Sequence, residues 1–148
     1  MVDFNLRRYG SLALAGFLGL SSVFGAGIAH AGSLTVSIDG VQKRDGNLYV
    51  RVQTESQFMQ DAASHGRIID RPVGDVDVVF SGVDDGTYAI SVWHDDNANG
   101  TFDFDERGMP LDGWALSGPG LTGAPSFDQT KISVEGDVSV TLRMIYGR

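Results

Sequence analysis

The sequence predicts an all-β fold, an antiparallel sandwich of about seven short strands. Two observations predict it. Apolar residues recur at every second position in run after run, the spacing of strands with one buried face. Glycine- and aspartate-rich turns separate these runs, and no apolar period of 3.6 residues is sustained long enough for an amphipathic helix.

Residues 1–31 read as an export signal. Arg7 and Arg8 give a positive start, Ser11 to Ile28 is apolar and uncharged, and Ala29-His30-Ala31 has the small-x-small form that signal peptidase cuts, here after Ala31. The apolar stretch is 18 residues long and interrupted by glycines and serines, which makes it weak as a membrane span. Cleavage leaves residues 32–148 as one β-sandwich domain in the periplasm or outside the cell. Those 117 residues are enough to bury a core. They carry 18 acids against 9 bases, a net charge of −9. Such a surface repels nucleic acid and anionic headgroups, so the expected partners are a protein or a glycan, with no nucleic acid and no membrane after cleavage. With no cysteine, no disulfide rigidifies the chain, and a bound cation is one candidate for that role.

The strands follow in order. "SLTVSIDG" sets Leu34, Val36 and Ile38 against Thr35 and Ser37. "KRDGN" (Lys43 to Asn47) carries the Asp-Gly signature of a hairpin turn, and Leu48, Val50 and Val52 return on one face. "SQFMQDAAS" lacks β-branched residues and suits one helical turn. "RIIDRPV" is read as a short strand, at an edge because of its proline. In "DVDVVF", Val76, Val78 and Phe80 point inward. Asp85-Gly86 turns the chain into the clearest strand, with Tyr88, Ile90 and Val92 on one face and Ala89, Ser91 and Trp93 on the other. "KISV", the Gly136-Asp137 turn and "VSVTLRM" are read as a closing hairpin.

Between the last two groups lies "HDDNANGTFDFDERGMP". From Asp95 it matches the calcium-loop pattern D-x-[DN]-x-[DN]-G-x5-E throughout. Asp95, Asn97 and Asn99 take positions 1, 3 and 5, and Gly100 takes the sharp bend at 6. The carbonyl of Thr101 falls at 7, Asp103 at 9 and Glu106 at the bidentate position 12. These hard oxygens suit Ca²⁺ rather than zinc or copper. The flanks differ from an EF-hand: a strand enters, and Gly108, Pro110 and Gly113 follow, so no helix leaves. Asp95, Asp96, Asp103, Asp105 and Glu106 crowd into 12 residues. Two like charges about 4 Å apart repel by about 4 kcal/mol at an effective dielectric near 20, a term that a divalent ion reverses. The other reading is an ordered acidic turn without metal, since Asp, Asn and Gly also make Asx-turns.

The run from Gly86 to Val134 resembles a bacterial family of small exported β-sandwich proteins of uncharacterised function, and with the leader and first strand the resemblance covers nearly the whole mature chain. The residues that carry the resemblance are Tyr88, Ala89, Ile90, Val92, His94, Asp95, Asn97, Asn99, Gly100 and Asp103, then Gly108, Pro110, Asp112, Trp114, Ser117, Ser126 and Phe127. It implies an immunoglobulin-like or transthyretin-like sandwich and no established activity. Glu106 departs from the family pattern, which usually has an aromatic or apolar residue there. The shared asparagines then serve loop geometry, or Glu106 gives this member a ligand that others lack.

His94 is read as pinning the strand end by hydrogen bonds to loop carbonyls, in preference to a metal ligand or general base, because no partner His or Cys lies nearby. A triad of Ser117, His94 and Asp95 has no nucleophile-elbow context, so the chain is not expected to be an enzyme. Trp93 and Trp114, with Phe102 and Phe104, either seal the end of the sandwich or line a stacking face for sugars. Phe127 is expected to plug the core. The expected function is an exported, non-enzymatic module with a calcium loop at 95–106, or alternatively a carbohydrate or small-ligand module using Trp93 and Trp114.

Overall fold

The computed structural model describes residues 31–121 and 123–147. The expected leader therefore lies outside the described residues except for Ala31, which opens the first strand.

Two sheets face each other, as the alternating patterns predict. One holds β4 (Gly74–Asp84), β1 (Ala31–Val41) and β8 (Val138–Arg143), in that order. The other holds β3 (His65–Ile69), β2 (Leu48–Gln53), β5 (Gly86–His94) and β6 (Gly113–Leu116). A short β7 (Lys131–Val134) pairs with the first half of β5, and β6 pairs with its second half. Leu34, Val36 and Ile38 from β1 meet Leu48, Val50 and Val52 from β2, all fully buried, with Ile90 and Val92 of β5 beside them. Each such side chain contributes about 1.5–3 kcal/mol by leaving water. On the outer face, hydroxyl and carboxylate pair across strands, as where Ser37 Oγ donates to Asp77 at 2.6 Å.

Four expectations are corrected. The turn at Lys43 to Asn47 is no hairpin, because β1 and β2 belong to different sheets. The same holds for Gly136-Asp137 between β7 and β8, and the turn at Asp85-Gly86, read only as a reversal, likewise joins strands of different sheets. Each carries the chain across the core rather than to a neighbour in the same sheet. The Asp-Gly signature reports a local reversal of the backbone; whether the returning strand lies beside its predecessor or opposite it depends on distant pairings. The sheet of β1 is also not purely antiparallel, since β1 and β8 run parallel from Leu34↔Val138 to Asp39↔Arg143. Phe127 stays outside the core cluster. It opens the short helix α1 (Phe127–Thr130) and meets Phe58 edge-on at 5.9 Å, while Thr130 is the residue fully buried there.

The helical turn expected near Ser56 is a 3₁₀ turn, Glu55–Gln57. Gln53, 1% exposed, organises the loop that follows it. Its side-chain nitrogen donates toward the carbonyls of Gln57, Gln60 and Ala62 at 2.8 to 2.9 Å, and its oxygen accepts from Ser91 Oγ. β3 lies at an edge of its sheet, where its following proline placed it. Among the described residues no helix is long and apolar enough to cross a membrane.

Candidate functional site

The 95–112 loop leaves β5 and docks on the turn between β1 and β2. Asp95 N–H donates to the Asn47 carbonyl at 3.0 Å, and Asp45 N–H donates to the Asp96 carbonyl at 3.4 Å. The buried carboxylate of Asp95 takes the N–H of Asn99 at 3.1 Å on one oxygen and that of Gly100 at 2.9 Å on the other. Gly100 has φ of 74°, the left-handed bend that its position in the pattern demands.

Four of the six sequence-predicted ligands gather here. The side-chain amides of Asn97 and Asn99 both donate to Asp103 Oδ2 at 2.8 Å. Their oxygens face inward on the loop's own backbone, Asn97 Oδ1 accepting from Asn99 N–H and Asn99 Oδ1 from Thr101 N–H. The structure does not bring Glu106 into this cluster; it is exposed, and no hydrogen bond or ion pair ties it to the other loop residues. Thr101 takes part through its N–H. Asp105 closes a separate turn by accepting from the N–H groups of Arg107 and Met109. Among the described residues no group of three or more His, Cys, Asp or Glu side chains is placed to hold a metal ion. The repulsion among these carboxylates is offset by N–H dipoles within the loop, a donor set that the spacing pattern alone does not reveal.

Behind the loop lies a buried carboxylate outside the predicted ligand set. Asp112, 1% exposed, accepts from Trp93 Nε1 at 2.8 Å and from the backbone N–H groups of Asp96 and Asp103 at 3.2 Å. It therefore joins the two arms of the loop to a tryptophan on β5. Asp96 returns the link by accepting from Gly113 N–H at 3.2 Å, and Arg44 Nε lies 2.9 Å from its other oxygen.

His94 pins the strand end, through the C-terminal tail as well as against the Gly46 backbone of the β1–β2 loop. Its Nδ1 lies 2.7 Å from the hydroxyl of Tyr146, which also accepts from Gln42 N–H at 3.0 Å. Nε2 is buried with no aligned partner, and the Gly46 backbone faces it. Burial pushes the imidazole below its ordinary value, and Arg44 pushes the same way; Asp96, Gly46 and Asp112 oppose them. The Tyr146 ring packs against Gly113 so closely that any Cβ there would strike it. Ser117 spends its hydroxyl on backbone, accepting from Ile90 N–H and donating to the Thr130 carbonyl.

The four aromatics singled out in the sequence line one groove of about 860 Å³ on the outer face of the second sheet. Trp93 and Trp114 are cross-strand partners on its floor. Phe102, Phe104, Met109 and Pro110, from the acidic loop, form one wall. Met59, Leu121 and Pro125 form the other. Phe102 meets Trp93 edge-on at 6.0 Å and Phe104 at 4.9 Å, so the aromatic side of the loop is held by the floor it walls. Tyr49 stacks on Trp93 at 4.5 Å. Tyr49, Arg51 and Asp112 were not among the candidate residues. A signal for Tyr49 exists: it is an aromatic on the water-facing parity of a strand whose other parity is Leu48, Val50 and Val52.

A family model described as an uncharacterized protein conserved in bacteria, DUF2141, matches residues 36–141. No curated protein and no solved structure matches the chain.

Proposed function

We propose, from the premise that the chain belongs to DUF2141, an uncharacterised family conserved in bacteria, that it is an exported, non-enzymatic module that binds a small ligand in the outer groove. The observation that carries this reading is the groove itself. It has the size of a small-molecule cleft, a floor of two tryptophans, and apolar walls on both sides. Among the described residues no histidine or cysteine lines it, which favours binding over catalysis. Asp112 supports the reading, since it fixes Trp93 and the base of one wall with a single buried carboxylate. Titration with the neutral dye N-phenylnaphthylamine tests it. Saturable dye fluorescence with quenching of tryptophan emission is expected, and Trp114→Ala should abolish saturation. A wild-type protein that gives no saturable signal would remove the reading.

A second reading, Ca²⁺ at 95–106, is favoured by the gathering of Asp95, Asn97, Asn99 and Asp103. To coordinate an ion about 2.3–2.6 Å from their oxygens, the two amides must turn from Asp103 and Glu106 must fold in. At a calcium concentration 100-fold above Kd the ion would add about 2.7 kcal/mol. Calorimetric titration with CaCl₂, paired with a melting curve, decides it: no heat and no shift at millimolar calcium leaves an ordered acidic turn.

A further inference from the structure

The groove floor is built from two cross-strand rows. The first supplies Tyr49, Trp93 and Trp114; Ile68 and Ile145 continue the same row beyond the groove lining. At about 4.8 Å per strand, the two steps from Tyr49 to Trp114 span roughly 10 Å. The second supplies Arg51, Ser91 and Leu116 and holds one cation.

Among the described residues, Arg51 and Asp61 are the only charged side chains lining the groove. They are not equivalent. Asp61 extends fully into water, and its carboxylate lies 3.6 Å from the Arg51 guanidinium, a loose surface pair of little worth. The Arg51 side chain is 30% exposed and rises from the sheet floor between aromatic and apolar neighbours. Of the neutral polar groups nearby, the Gln53 amide is committed to loop carbonyls, Ser91 Oγ to Gln53 and Trp93 Nε1 to Asp112, while Tyr49 and Gln60 add a hydroxyl and an amide to the lining. The guanidinium keeps most of its five N–H donors free. Meanwhile Phe102, Phe104, Met109, Pro110, Leu121 and Pro125 offer no side-chain hydrogen-bonding group along the walls. A sugar needs such groups at many points, whereas a hydrocarbon body needs none.

We propose that the ligand is an elongated apolar molecule ending in a carboxylate, its body along the tryptophan floor and its headgroup on Arg51. The assignment rests on the groove reading given above and names the class of molecule that reading admits. A carboxylate matches the planar fork of the guanidinium with two parallel hydrogen bonds and displaces Asp61 toward solvent, where it is already hydrated. The protein's net negative charge makes this one cation, set in an apolar groove, the feature that selects an acid over an amine.

Competition against bound N-phenylnaphthylamine tests the proposal, with dodecanoate, dodecanol and dodecylamine as competitors of equal chain length. Dodecanoate should displace the dye at a concentration about tenfold or more below that of dodecanol, with dodecylamine weakest. With each protein's own dye affinity taken as its reference, Arg51→Gln should bring dodecanoate to the level of dodecanol. Equal potency of acid and alcohol on the wild type overturns the headgroup assignment while leaving the groove reading standing. Failure of the dye to bind overturns both, as does displacement only by neutral oligosaccharides for the proposed ligand class. Should Arg51→Gln fail to fold by circular dichroism, the wild-type ratio of acid to alcohol still decides.

Discussion

Three N–H groups converge on the carboxylate of Asp112: the Trp93 indole and the backbones of Asp96 and Asp103. Truncating a buried acceptor leaves its donors unpaired, which costs more than the hydrogen bonds were worth in net terms. Asp112→Ala should lower stability by about 3 kcal/mol or more in urea unfolding and red-shift tryptophan emission as Trp93 loses its partner. This role was hidden in the sequence because the partners stand 9 to 19 positions away along the chain. His94 gives the second prediction at this scale. Its folded-state pKa lies below the unfolded value of about 6.5, so the unfolded chain binds the proton first. The stabilisation from neutral His94 is complete above about pH 6.5 and is lost as pH falls toward the depressed value. Melting temperatures measured downward from about pH 7.5 should fall more steeply for the wild type than for His94→Asn. Parallel profiles would show that the imidazole does not couple to folding.

Strands were legible because burial on one face imposes a period that needs no knowledge of neighbours. Leu34, Val36, Ile38, Leu48, Val50 and Val52 are all fully buried, as their spacing predicted. Partners of those strands were not legible: a turn at Asp85-Gly86 has the same residues whether it joins neighbours or crosses the core. In the acidic loop, sequence spacing identified the bend at Gly100 and the residues that gather around it. It did not foresee that Asn97 and Asn99 would share one oxygen of Asp103, because amide orientation is set by donors and acceptors rather than by spacing. The bend itself is testable as a unit. At φ of 74° an added Cβ strains the backbone by about 1–2 kcal/mol, so Gly100→Ala should lower the unfolding free energy measured in urea by that amount, and with it the midpoint. Ala98 sits at φ of 59°, and Ala98→Gly should shift the midpoint the other way. Equal effects of the two variants would place their action outside the local bend.

At the scale of the whole molecule, the tail closes a seam between the sheets. Trp114 and Ile145 exchange two backbone hydrogen bonds of 2.8 Å, and Tyr146 reaches His94 from the next position. A chain stopped after Met144 loses both, and its melting temperature should drop by at least about 5 °C. An unchanged value would show that the seam is held by β8 alone. Tyr146 was not legible because its meaning depends on where β8 delivers the tail. The parallel pairing of β1 with β8 has a further consequence. β1 is the middle strand of its sheet, yet contacts such as Ser33 with Asp137 join positions 104 apart. As the chain emerges from the ribosome, the earliest strand waits with one flank bare until the latest described strand arrives. Contacts this distant slow the ordering of the sheet, so a nascent molecule keeps sticky backbone on view for most of its synthesis, and a chaperone that shields an open flank would act on β1 first.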